Sequence, residues 1–580
     1  MQVPHDLVIR GGTIADGTGG AMRQGDIAVT GGRIVHVGEV TGRGTEEIDA
    51  SHLVVTPGFI DLHTHYDGQA TWESRLVPSS WHGVTTAVIG NCGVGFAPVK
   101  PEDRERLIEL MEGVEDIPGV VLKEGLDWRW ESFGDFMDVL ESRERDVDIC
   151  AQLAHGPMRI FVMGERAVRL EEATTADIAA MRQLAADAVR EGAIGFSTSR
   201  TINHRTARGE NTPSLRALDD ELLGIALGLR DAGGGVLQLI SDWDTPDMQT
   251  EFALMRRLVR ESGCPLSFSL GQRHATPDEW KKLLAHTDAA QADGLDIRPQ
   301  VAPRPVGVLL GLQGSITVFS GYAAYREIEH LPLAEKLARM RAPEFRQRLR
   351  TETPAEPPTP FAARLQGLDC MFPLGTPPNY EPDPRSSVAH AAQRKGCTPL
   401  EAALDYLLEG KGENLLFVPI ANYAELSLDV CGEMMGNPWS LFGLGDGGAH
   451  VSLISDASFT TYALSHWGRD RAYGRFPIEW LVQRLTSASA RHLGLTDRGL
   501  IAPGMKADLN VIDIDRLGNC APHMTSDLPA GGKRLLQKSH GYRWTIVNGV
   551  PTYRDGEATG ALPGRLVRRR GSGAHGRPAR

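Results

Sequence analysis

Two histidines separated by one residue, His63 and His65, follow the run Thr56-Pro57-Gly58-Phe59-Ile60-Asp61-Leu62. An apolar run leads into them, so the pattern places both at the end of a β-strand, where side chains two apart share a face. Two imidazoles converging on one point suit a first-row divalent metal, zinc above all, with Asp61 or a backbone carbonyl available to orient a ring through its second nitrogen. Residue types alone also admit two unrelated polar histidines at a strand end. A second polar cluster, Ser197-Thr198-Ser199-Arg200-Thr201-Ile202-Asn203-His204-Arg205, follows the strand-like run IGFSTS and belongs at the same kind of strand terminus. Arg200 has the planar fork that grips a carboxylate through two parallel hydrogen bonds, with His204 beside it as a substrate contact; a solvated basic loop is the competing reading.

Positioning such groups requires strands that deliver them to one mouth. The apolar runs TTAVIG, ICAQLA, IGFSTS, VLQLIS, PLSFSL and LDIRPQV alternate with amphipathic stretches such as EEATTADIAAMRQLAADAVREG and PDEWKKLLAHTDAAQADG. That βα alternation, with strands apolar enough to be covered on both faces, predicts a parallel sheet or a (β/α) barrel. The first fifty-odd residues read instead as hairpins of a small sheet, and the same texture returns in ADLNVIDIDRL and YRWTIVNGVPTYRDGE, so the two chain ends are expected to complete one small β domain. Residues 325–430 break the rhythm with charged helices and a proline-rich stretch, and predict a helical insertion on the catalytic face. The basic Gly- and Arg-rich segment 564–580 predicts a disordered tail.

The chain has 580 residues, enough for more than one structural unit, and its 61 Lys+Arg against 74 Asp+Glu leave a net charge of −13. That balance excludes a general electrostatic attraction to nucleic acid, and 41% hydrophobic with 23% charged residues is an ordinary globular composition. The seven cysteines are scattered without a CxxC pair, which argues against a disulfide framework and for a reducing compartment. The N-terminus lacks a basic segment followed by an apolar one, and no run approaches the length of a membrane span. A cytoplasmic protein acting on a small molecule, with no nucleic-acid or membrane partner and with homo-oligomerisation open, is the expectation.

Four segments, LVIRGGTIADGTG, PGFIDLHTHYD, GVTTAVIGNCGVGFAP and APGMKADLNVID, together resemble the amidohydrolase superfamily, in particular its N-acyl-D-amino-acid deacylase branch, and the resemblance spans nearly the whole chain. It implies an α/β fold: a TIM-like (β/α)8 metal-dependent hydrolase barrel over residues 57–495, with a small β-sandwich from residues 1–56 and 496–563. It implies metal binding by His63 and His65, and Cys92 in Gly90-Asn91-Cys92-Gly93 resembles the family's metal-ligating thiolate; a small buried thiol is the alternative. The run Leu444-Gly445-Asp446-Gly447-Gly448-Ala449-His450 resembles the family's Asp-Gly-x-x-His segment. Asp446 is accordingly expected to ligate metal and to serve as general base, taking a proton from water and returning it to the departing amine. His450 is expected to touch a ligand or the substrate, and His155, in a strand-end segment that resembles the family's, either lines the pocket or is structural.

The departures from the family pattern bear on stoichiometry and substrate. Two family histidines that contact metal correspond here to Ile240 and Leu270, and Gln272 stands where the family uses a lysine toward the substrate carboxylate. A single zinc held by His63, His65, Cys92 and Asp446 is therefore expected in preference to two, with Arg200, His204, His155, Gln272 and His450 as substrate-binding residues. The leading expectation is hydrolysis of a linear N-acyl amide. A cyclic-amide hydrolase of hydantoinase type and a catalytically silent metal-binding scaffold are the alternatives.

Overall fold

The computed structural model describes residues 4–569 apart from 245, 356–364 and 366. Its centre is a ring of eight parallel strands: β1 (Phe59–Asp61), β2 (Val84–Ile89), β3 (Asp148–Ala154), β4 (Gly195–Arg200), β5 (Val236–Ser241), β6 (Leu266–Leu270), β7 (Ile297–Val301) and β8 (Leu441–Phe442). Spatial order follows chain order, as right-handed βα crossovers require. Just past the ends of β1 and β8 a parallel bridge between Thr64 and Gly447 brings first and last strands together, and His65 N donates to Gly447 O at 2.7 Å. The expected (β/α) barrel is thus the observed one, and all six apolar runs named above are barrel strands.

Every residue of β2 and β3 is buried, as parallel strands covered on both faces must be. On β5, Leu237 and Leu239 enter the layer under the helices, while Val236 joins Ile60, Leu62, Val88, Cys150, Ile194 and Leu441 inside the barrel floor. An apolar plug therefore fills the N-terminal end of the barrel and leaves the C-terminal mouth to polar groups. Four outer helices matter below: α1 (Arg104–Glu115), α2 (His155–Met163), α3 (Asp219–Asp231) and α4 (Met248–Ser262). The ends of α4 show how sequence sets their limits. The Asp247 carboxylate accepts from Gln249 N and Thr250 N at its start, and Gly263 turns left-handed at φ +70° at its end.

Both chain ends build one nine-stranded mixed sheet. Val54–Pro57 pairs antiparallel with Leu509–Ile512, and Leu7, Ile9, Ile27, Val55, Leu509, Val511 and Ile546 form its core. Between β7 and β8 the chain leaves the barrel for a subdomain with its own apolar core, including Val308, Leu310, Leu337, Met340, Leu404 and Val418. This corrects the expected helical insertion at 325–430. The excursion is longer and contains a three-stranded antiparallel sheet, in which Val306–Leu310 pairs with Leu416–Ala421, a contact across more than a hundred residues that local periodicity does not reveal.

The expected disordered tail also needs correction at its start. Residues 564–569 lie along the barrel, with Ile149 N donating to Arg565 O at 3.0 Å and Val567 N to Ile149 O at 2.7 Å. Leu566 is buried, and Arg568 pairs with Asp138 at 2.6 Å and Glu141 at 2.7 Å. Residues 570–580 of that segment lie outside the described residues. No helix among the described residues is long and apolar enough to cross a membrane.

Candidate metal centre

His63 and His65 flank Thr64, which pins the end of β1 to β2. Thr64 N and Oγ1 both donate to Val88 O, at 3.1 and 2.7 Å. The next turn, Gly90-Asn91-Cys92-Gly93, is built for a tight backbone path. A Cβ on Gly90 (φ +80°) would lie 2.3 Å from Gln152 O, so only glycine fits. Asn91 Nδ2 donates to Thr64 O and Val88 O at 3.1 and 2.9 Å, and Asn91 Oδ1 accepts from Gln152 Nε2 at 2.8 Å. Cys92 follows in the left-handed region at φ +53°, its N–H held by Gln238 Oε1 of β5 at 3.0 Å.

Opposite stands the glycine-rich loop after β8. Leu444, Asp446 and His450 have φ of +59°, +45° and +47°, a concentration of left-handed non-glycine backbone that costs of order 1 kcal/mol or more per residue and is usual where side-chain placement outranks local comfort. The loop is tied down by His65 N to Gly447 O at 2.7 Å and by His450 N to Glu115 O, at the end of α1, at 2.5 Å.

These elements bring four donors together. His63 Nε2 lies 3.2 Å from Cys92 Sγ and 3.5 Å from Asp446 Oδ1. His65 Nε2 lies 3.7 Å from the same carboxylate oxygen. Among the described residues, His63, His65 and Cys92 form the group of three His, Cys or acid side chains whose ligand atoms all fall within 4.8 Å of one another. A tetrahedral cation with bonds of about 2.0–2.3 Å needs donors roughly 3.3–3.8 Å apart; the His63–Cys92, His63–Asp446 and His65–Asp446 separations lie at or near that range, while Asp446 stands beside the two imidazoles and outside the group of three. His63, His65 and Cys92 are at most 5% exposed, whereas the Asp446 side chain is 23% exposed and is the member that water reaches.

Burial, then the charges of Glu115 and Asp446, push the Cys92 thiol well up. Burial alone accounts for most of the rise of Asp61 to about 8 and of Asp67 to about 7. Burial, followed by Asp446 and Asp67, raises Glu115. The imidazoles move the other way: burial, then His63, His450 and His204, hold His65 well below its usual range, and burial with His450 and His63 takes His204 down to about 3. Burial thus favours the neutral forms of Asp61, Cys92, Glu115, His65 and His204.

His450 and His204 lie near this cluster, close enough for their charges to act on His65. His450 Nε2 is 3.9 Å from Glu115 Oε2, and His204 Nδ1 meets Ser199 Oγ at 2.9 Å. Three other expected site residues do not reach it. Arg200 points outward into the helix layer, where Nε bonds Glu251 Oε1 of α4 at 2.6 Å and Nη1 bonds Ala217 O at 2.7 Å. At 5% exposed it is not a solvated loop residue. His155 is fully buried at the start of α2, with Nδ1 on Thr198 Oγ1 and Nε2 on Glu221 Oε1 of α3, both at 2.8 Å. It is structural. The Gln272 amide is spent on Ala424 N at 2.9 Å, Glu425 Oε2 at 3.0 Å and Pro277 O at 3.3 Å, which ties β6 to the insertion rather than to a substrate.

Asp61 also differs from expectation, since its Oδ1 accepts from the backbone N of His63 at 3.2 Å and does not orient a ring. The groups beside the rings come from farther away. Gln300 Oε1 of β7 stands 2.6 Å from His63 Nδ1, and Glu115 Oε1 stands 3.2 Å from His65 Nδ1. One sign of Glu115 was present: an acid pair, Glu115-Asp116, at a helix C-terminus, where the macrodipole disfavours anions. Of the two positions read as lost histidines, Ile240 is half-buried on the Gln238 face of β5, while Leu270 packs into the outer core with Leu266 and Phe268.

Residues 46–553 match the model of the amidohydrolase family. A D-aminoacylase of Alcaligenes xylosoxydans xylosoxydans is 26% identical over 578 residues, covering 98% of each chain. An N-acyl-D-aspartate deacylase of the same organism is 27% identical over 578 residues, covering 97% of this chain and 95% of its own. A crystal structure of D-aminoacylase has the same fold, with a TM-score of 0.64 over 98% of this chain and 100% of its own at 23% identity.

Proposed function

The chain belongs to the amidohydrolase family, a hydrolase of carbon–nitrogen bonds other than peptide bonds, and we propose that it cleaves a linear N-acyl amide with one divalent cation, zinc, held by His63, His65, Cys92 and Asp446. The observation that carries this reading is the donor spacing of 3.2, 3.5 and 3.7 Å at the C-terminal mouth of the barrel. The full-length similarity to D-aminoacylase and N-acyl-D-aspartate deacylase favours an acyl-amide substrate of that class.

A bound dication supplies Lewis acidity, polarising the scissile carbonyl and acidifying water. The chain's own residues do the rest. The buried imidazoles of His63 and His65 present lone pairs to the site. Asp446, the water-accessible member, accepts the proton of the attacking water on a carboxylate oxygen and returns it to the amine nitrogen as the C–N bond breaks. The substrate's remaining groups must be recognised by residues other than Arg200 and Gln272, both of which are committed within the fold.

The test is elemental analysis of the purified protein together with turnover of a panel: N-acetyl-D-amino acids, neutral N-acetyl amines, hydantoins and dihydropyrimidines. Zinc near one per chain with hydrolysis of a linear N-acyl substrate is the expected result. A metal-free, inactive protein would favour a silent scaffold, and activity confined to the rings would favour the cyclic-amide reading.

A further inference from the structure

We propose that Gln300 is a positioning residue of the metal centre: anchored on Ser267, it holds His63 in the tautomer whose Nε2 lone pair faces the other donors. The inference rests on the metal-dependent reading above and concerns how this chain prepares its site.

Gln300 is 2% exposed and Ser267 1% exposed, on the adjacent strands β7 and β6. The Gln300 Nε2 amide donates to Ser267 Oγ at 2.9 Å, and Oε1 stands 2.6 Å from His63 Nδ1. A carbonyl oxygen can only accept, so the proton sits on Nδ1 and the lone pair on Nε2, the atom 3.2 Å from Cys92 Sγ and 3.5 Å from Asp446 Oδ1. The reversed amide would donate to Nδ1, place the proton on Nε2 and point an N–H where a cation must bind. His65 Nδ1, by contrast, has no hydrogen-bond partner among the described residues, with the acid Glu115 3.2 Å away.

The experiment compares the full-length protein with Gln300→Met, which keeps the volume and removes the strong acceptor, and Gln300→Glu, which keeps an acceptor. Zinc affinity is measured by competition with a chelator, and coordination by the visible absorption of the cobalt(II)-loaded proteins; thermal unfolding of the metal-free proteins serves as the folding control. Gln300→Met is expected to bind zinc roughly 10–100-fold more weakly, with an altered cobalt spectrum, as for other partners of metal-bound histidines. Gln300→Glu should retain wild-type affinity or better, a split that a merely structural role would not produce. Wild-type affinity and spectrum in Gln300→Met, or equal weakening in both variants, would overturn the proposal while leaving the metal centre standing. A wild-type protein that takes up neither cation would overturn both.

Discussion

Replacing Asp446 by asparagine separates holding the cation from moving the proton. Asparagine is close to isosteric and among the residues most tolerant of the left-handed backbone that Asp446 adopts at φ +45°, so the β8 loop should keep its path. Its side-chain oxygen can still occupy the position 3.5 and 3.7 Å from the two Nε2 atoms, and His63, His65 and Cys92 remain as donors, so most of the zinc should stay. What disappears is the basic site that water reaches at 23% exposure, since an amide neither takes a proton from the nucleophile nor returns one to the amine. Positioned general acid–base catalysis contributes about 10²–10⁴-fold, or roughly 2.7–5.4 kcal/mol of barrier. The assay is kcat against pH for both proteins, with zinc measured in the same preparations. Asp446→Asn is expected to lose about 100-fold or more in kcat with little change in KM, and its residual turnover should climb with pH as more of the nucleophile is already hydroxide and needs no base. Retention of zinc together with wild-type kcat across that range would refute the general-base assignment.

Three further outcomes follow from the same geometry. His63→Ala should remove bound metal and activity while circular dichroism stays native, because the barrel floor of Ile60, Leu62, Val88 and Leu441 is untouched; full zinc occupancy would exclude His63 as a necessary ligand. Arg200→Ala should destabilise the fold by about 3–5 kcal/mol, since it strands Glu251, 0% exposed, without its cation; unchanged thermal unfolding with a selectively raised KM would return Arg200 to the substrate. Glu381 sits between His466 at 2.7 Å and Arg471 at 2.9 Å. Burial opposes its ionisation, but those partners outweigh it and bring its pKa down to about 2. Its folded value lies below the unfolded value of about 4.3, so its stabilisation is full above pH ~4.3 and is lost as pH falls toward 2. Glu381→Gln should flatten that part of the profile of unfolding temperature against pH, and an unchanged acid limb would count against the pairing.

The barrel strands were legible because parallel strands covered on both faces leave continuous apolar runs, and β2 to β7 each carry one. β8, two residues long, carries too little pattern to be read. The same full burial that makes such strands visible hides which way their side chains point. With no polar face, nothing local says that Ser199 turns inward to His204 and that the next residue, Arg200, turns outward to Glu251. Register decided it, and a period of two reverses the role of neighbouring residues.

The sequence by itself brought out one pair of candidate donors, because His63 and His65 are two apart just past a strand end, and the resemblance of their surroundings added Cys92 and Asp446 as expected partners. Only the tertiary structure decided what surrounds those donors. Gln300 is 237 residues from His63 along the chain, and Glu115 ends a helix that nothing in its own periodicity directs toward the mouth. His155, Arg200 and Gln272 carry the right functional groups, yet each is claimed by a partner from a distant element. A buried polar group must be satisfied by whatever the folded chain places within about 3 Å, and that identity exists only once the barrel has closed.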